Sequence, residues 1–133
     1  MDVQQEVFSY FRSELDKTYD VYDGVMPGEK AKYPFIFMGE AAQYNDKQVK
    51  NALQTGRVTI SIHAWVGSTR QRGTLSGILS DISKLGRKLA QTRSYKLVYN
   101  THDINILADT TTGTALLHGV VSFTYLFYER GIS

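Results

Sequence analysis

The side chains best suited to chemistry in this chain are three histidines, His63, His102 and His118. Imidazoles brought together from neighbouring strands can hold a metal ion, and one beside an acid can move a proton. Neither arrangement is written in the spacing. There is no HExxH or HxH pattern, the chain has no cysteine, and Asp103 is the one acid adjacent to an imidazole. The three therefore read as ordinary sheet histidines, and no metal is expected. A serine nucleophile would need the strained G-x-S-x-G turn, which is absent. The nearest stretch, Gly73-Thr74-Leu75-Ser76-Gly77, reads as the first turn of a helix with Thr74 as its cap. The glycines at 67, 73 and 77 do not form a phosphate cradle. Asp20, Asp23, Glu40, Asp46, Asp81, Asp103 and Asp109 are scattered without an acid and base pair. No catalytic residue, cofactor or enzymatic activity is expected.

The remaining candidates suit contact better than catalysis. Trp65 is the only tryptophan, and aromatic side chains of its kind are enriched at interfaces. Arg70 and Arg72 sit in a polar connector, where they either pair with acids on another chain or stay solvated. Arg87, Lys88, Arg93 and Lys96 cluster at and after a helix end, where the helix dipole alone favours cations.

These residues are positioned by a pattern that is clearest from Arg57 to Leu89. Val58, Ile60, Ile62, Ala64 and Val66 recur at every second position, which makes a strand with one dry face. Arg57, Thr59, Ser61, His63 and Trp65 then share the other face. Trp65 stays there unless a bulge turns it inward or the chain after Gly67 folds over it. Leu75, Ile78, Leu79, Ile82, Leu85 and Leu89 follow at helical spacing. Earlier, Val3, Val7, Phe11 and Leu15 predict an amphipathic helix ending near Lys17. Tyr19 to Val25 predicts a brief edge strand, and Pro34 opens a strand over Phe35 to Gly39. Glu40 to Gly56 is polar, without a clean period, and reads as a long loop that is functional, orders on a partner, or is a loose hairpin extension. Ser94 to Ala108 predicts one bent strand or two short ones, with Ile104, Ile106 and Ala108 on one face. A turn at Asp109 to Gly113 leads into a last strand from Thr114 to Glu129. The fold class expected is α+β, with a mostly antiparallel sheet of about five strands and two helices packed on one face.

At 133 residues the chain fits a single domain, 1–133. Without cysteine its stability must come from packing. No apolar run reaches bilayer length and the N-terminus lacks a secretory pattern, so a soluble protein made in the cytoplasm is expected, with no membrane partner. A net charge of +2 is too small to make nucleic-acid binding the main activity.

Several stretches, taken in their order, carry a likeness to a known family. They are the N-terminal helix leading to Val21-Tyr22-Asp23-Gly24-Val25-Met26-Pro27-Gly28, the strand start Tyr33-Pro34-Phe35-Ile36, the strand end Ile62-His63-Ala64-Trp65-Val66, the Ile78 to Leu89 helix, and the Asp109 to Gly113 turn before His118-Gly119-Val120-Val121-Ser122-Phe123. Together they resemble the tail terminator, or tail completion, family of long-tailed bacteriophages over nearly the whole chain. The resemblance implies a small α+β subunit that forms a homohexameric ring on the head-proximal end of the tail tube. Such a ring stops tube growth, joins the head completion (stopper) protein, and lets genomic DNA pass through its lumen without sequence-specific binding. It would reside in the neck region of the virion tail. The family has no strict residue signature, so contact residues are assigned here by geometry: Tyr44, Lys47, Lys50 and Leu53 in the long loop, Arg57, Thr59, Ser61, His63 and Trp65 on the sheet face, and Arg70 and Arg72 in the connector. The alternatives are another head-tail connector component, a small ligand-binding or enzymatic domain using the sheet face around His63, Trp65 and His118, or a single-strand nucleic-acid binder using Trp65 and the arginines.

Overall fold

The computed structural model describes residues 2–28, 31–47, 53–109 and 116–131. The alternating segments of the chain form a five-stranded sheet in the order β1-β2-β3-β5-β4. The strands are β1 (Val21–Tyr22), β2 (Phe35–Asn45), β3 (Thr55–Val66), β4 (Tyr95–Asp109) and β5 (Leu116–Glu129). β2, β3, β5 and β4 pair antiparallel, and the two-residue β1 lies parallel to β2 on its outer edge. This is the α+β class, with the two helices α1 (Val3–Leu15) and α2 (Arg72–Lys88).

The dry face of β3 is where the period-two pattern places it: Val58, Ile62, Ala64 and Val66 are fully buried and Ile60 nearly so. Val121, Phe123, Tyr125 and Phe127 extend the same face on β5, and Ile36 and Met38 on β2. α1 closes it with Val3, Val7, Phe11 and Leu15, and α2 with Leu75, Ile78, Leu79 and Ile82. Asp2 caps α1 by accepting the Gln5 N–H at 2.8 Å. The approach of α2 to β5 is close at one point. A Cβ on Gly86 would lie 2.1 Å from the Phe123 ring, and the Tyr125 hydroxyl donates to the Gly86 carbonyl at 2.6 Å. Glycine is required there by contact, since any side chain would displace a buried ring.

Three expectations are corrected. The stretch from Glu40 to Gly56 is not one long loop, because β2 runs on to Asn45 and β3 begins at Thr55. The alternation was hidden by a β-bulge: the register jumps between Met38 and Ala41, so both face the core and the simple odd-even count breaks at Gly39-Glu40. Thr74 is not the cap of α2. The helix starts at Arg72 after a 3-10 turn over Thr69–Gln71, and Ser68 caps that turn with its hydroxyl. Of Tyr19 to Val25, only Val21–Tyr22 is strand. Ser94 to Ala108 resolves as one strand bent by a register shift between Tyr99 and Thr101. The turn over 110–113 lies outside the described residues.

Candidate assembly surface

The face of the sheet opposite the helices is laid out by register into rows that cross it from β2 to β4. Tyr44, Arg57, Leu126 and Val98 form one row; Ala42, Thr59, Thr124 and Thr101 the next. Ser61, Ser122 and Asp103 follow, opposite the bulge. The last two rows are Phe37, His63, Val120, Asn105 and then Phe35, Trp65, His118, Leu107. Side chains on one row are cross-strand neighbours, so the surface is a band of small hydroxyls flanked by two apolar and aromatic ends. Ser61 and Ser122 bond each other at 2.8 Å in the middle of the band.

At one end, the Arg57 guanidinium lies 4.7 Å from the Tyr44 ring centroid. Tyr44, Val98, Leu126 and Tyr128 are substantially exposed around it. At the other end the aromatic groups stack on one another. Phe35 is buried, with its ring centroid 6.3 Å from that of Trp65, and Trp65 lies 3.9 Å from the His118 ring at an interplanar angle of 5°. Trp65 thus stays on the face its sequence position assigns; its cross-strand neighbours cover it, with no bulge turning it inward. Its indole N–H is buried and finds no acceptor among the described residues.

His63 Nδ1 and His118 Nε2 are 2.8 Å apart, so one nitrogen donates and the other accepts. Two cationic imidazoles would turn N–H groups towards each other and break this bond. Burial lowers the His63 pKa below its ordinary value, opposed by the nearby Glu40 carboxylate. His102 is not part of this pair. It lies on the helix side of β4, where its Nδ1 is 2.5 Å from the Tyr99 hydroxyl. Among the described residues, no group of three or more histidine or acidic side chains is placed to hold a metal.

The contact residues assigned from the sequence are brought together in part. Arg57, Thr59, Ser61, His63 and Trp65 share the sheet face, and Tyr44 joins them from β2 instead of from a loop. Lys47 and Leu53 are exposed beyond the strand ends, while Lys50 lies outside the described residues. Arg70, in the 3-10 turn, and Arg72, at the start of α2, are exposed away from the sheet-face rows. Periodicity alone did not single out Phe35, Phe37, Leu126 and Val98, since their place on the face follows only from strand order. Glu6 was also missed. Although it lies on a helix it is buried, and its carboxylate accepts the Ser94 N–H at 2.8 Å, tying α1 to the start of β4. Burial opposes its ionisation, but the hydrogen bonds from the Ser94 region outweigh that and hold its pKa below the ordinary value.

The fold is shared with a chain of a virion. The solved structure is described as the virion of a native gene transfer agent particle. Its chain matches 97% of this one over 95% of its own length, with a TM-score of 0.57 and 16% identity. At that identity the likeness establishes the common fold. No family model matches the chain, and no curated protein sequence does. Among the described residues, no helix is long and apolar enough to cross a membrane.

Proposed function

We propose that this chain is a structural subunit of a phage-like virion, a tail terminator that rings the head-proximal end of the tail tube. In this role it stops tube growth and offers the joining surface to the head completion protein, and genomic DNA passes through its lumen. The observation that supports a virion role is the end-to-end fold match to a chain of a gene transfer agent virion, and the terminator role rests on the ordered sequence stretches that resemble that family. The surface chemistry supports it. Ser61 and Ser122 bond each other, the imidazoles of His63 and His118 face each other, and among the described residues no helix covers the sheet face that carries them, which leaves it open to a neighbouring subunit. The role asks for shape and self-association, with no reaction step.

The test is to add the purified chain to growing tail tubes of the particle that encodes it and image them. Caps at one tube end and arrested elongation are expected. Tubes that grow on uncapped would overturn the reading.

A second reading has one observation in its favour, the imidazole pair beside Trp65. If that end of the face bound a metal-dependent ligand, zinc would raise the melting temperature of the protein, and His63→Ala would abolish the rise. No response to zinc would remove this alternative.

A further inference from the structure

Two edges of the sheet are unfinished. On β2, β1 covers only Ile36 and Phe37, so the outer edge from Met38 to Asn45 has no strand beside it among the described residues. On β4, the chain just before the strand covers its start, through the Leu97 N–H to the Ala90 carbonyl at 2.9 Å and the Gln91 to Lys96 bridge. From Val98 onward the outer edge of β4 has no strand beside it among the described residues. Open edges carry rows of unpaired N–H and C=O groups, and proteins that are not meant to pair through them cover or charge them. Here the open stretch of β4 carries the half-exposed Ile104 and Leu107, with Asp103 the one acidic side chain between Val98 and Ala108.

The register also shows which groups point outward. The Asp46 N–H donates inward to the Thr55 carbonyl, so Asn45, Gln43 and Ala41 turn their backbone groups away from β3. The Leu97 N–H points away from β5, and by register Tyr99, His102, Ile104 and Ile106 do the same. Every one of these residues has its side chain on the helix face. β2 and β4 run in opposite directions, so one copy's β4 fits beside another's β2 as an antiparallel partner, with the helix face and the open face each continuous across the joint.

A second feature points to the same occupant. On the helix side, β4 is packed into the core at Tyr95 and Leu97, but farther along, among the described residues, α2 leaves a groove lined by Ser80, Ser83, Arg87, His102, Ile104 and Ile106. α1 lies over the β2 and β3 end of the sheet. One flank of it faces α2, with the Tyr10 hydroxyl donating to the Leu85 carbonyl at 3.0 Å. The opposite flank carries Gln4, which reaches Gln43 on β2, and the half-buried Phe8. Setting β2 of one copy against β4 of the next brings that flank over the bare groove.

We infer that copies of this chain join head to tail, the β4 edge of each adding to the β2 edge of the next, with the neighbour's α1 covering the groove beside α2. The inference rests on the assembly reading above. A joint between two different edges repeats around a ring, whereas β4 against β4 would stop at a dimer on that edge.

The absence of cysteine makes the test direct. Ala42→Cys is combined with Thr101→Cys, Asp103→Cys or Asn105→Cys, all on the open face. There the pairs across the joint are non-hydrogen-bonded and the side chains approach closely. After mild oxidation, one of the double variants should give a ladder of monomer multiples ending in a discrete largest band, with no linking in the single variants. Ile104→Glu, at a half-exposed position, should lower the native mass while leaving the far-UV spectrum unchanged. Linking by a single β4 cysteine would mean symmetric edge pairing and overturn the inference. An oligomer in which no double variant links, or in which Ile104→Glu changes nothing, would overturn it while leaving the virion role standing. A chain that is monomeric and ignores tubes would overturn both.

Discussion

The two faces of β3 are built from one alternating sequence and differ in everything but their spacing. Val58, Ile62, Ala64 and Val66 are 0% exposed under the helices, whereas Thr59, Ser61, His63 and Trp65 on the other face are only part-buried. The dry face is fixed by packing that tolerates little change. The open face bears hydroxyls and aromatic groups that pack across strands without a helix over them, which leaves its composition freer to serve contact with another chain.

Breaking the dry face should have the largest effect. Phe123→Ala removes a ring stacked on Phe11 at 5.2 Å and should cost about 3–5 kcal/mol in urea unfolding. Gly86→Ala drives a methyl group into that same ring and should cost about 1–3 kcal/mol, with Phe123→Leu in the same chain relieving part of the loss. Tyr125→Phe removes the hydroxyl donor from the Gly86 carbonyl, which keeps only the longer bond from the Leu89 N–H at 3.4 Å, and should cost about 1 kcal/mol. Thr59→Ala on the open face should stay within about 0.5 kcal/mol in the single chain, so a loss of assembly in that variant would sharpen the contrast between the faces.

The smallest effect expected is local and depends on pH. His63 has a pKa held below its unfolded value by burial, so its contribution to stability is complete above about pH 6.5 and is lost as pH falls through the folded value. Trp65, the sole tryptophan, stacks on His118, the partner of His63. Its fluorescence should therefore change on acidification below that pH, and His63→Gln should remove the transition. Tyr19 provides the alkaline counterpart. Burial and the Asp81 carboxylate raise its pKa to about 12, so the stability it contributes is complete below about pH 10 and is lost as pH rises through 12. Absorbance titration of the phenolates in the wild type and Tyr19→Phe would follow it.

Much of this architecture was legible in the sequence, because β3 and α2 carry clean periods of two and of about three and a half. Val58, Ile60, Ile62, Ala64 and Val66, and Leu75, Ile78, Leu79 and Ile82, are buried as their spacing requires. What escaped did so for identifiable reasons. One extra residue at Gly39-Glu40 reversed the faces of β2 and made its second half look like loop. The open face depends on strand order, which no local pattern encodes, so Leu126 and Val98 could not be placed beside Arg57 in advance. The His63 and His118 contact is a diagonal between strands separated by a helix and another strand, and required the register to be seen. The requirement for glycine at position 86 likewise follows from a distant ring.

The most direct test of the assembly account is the native mass of the purified chain across a range of concentrations. A single closed oligomer, seen as rings of one size in negative stain, is the predicted result. A monomer at every concentration, with no rings and no attachment to tube ends, would contradict it.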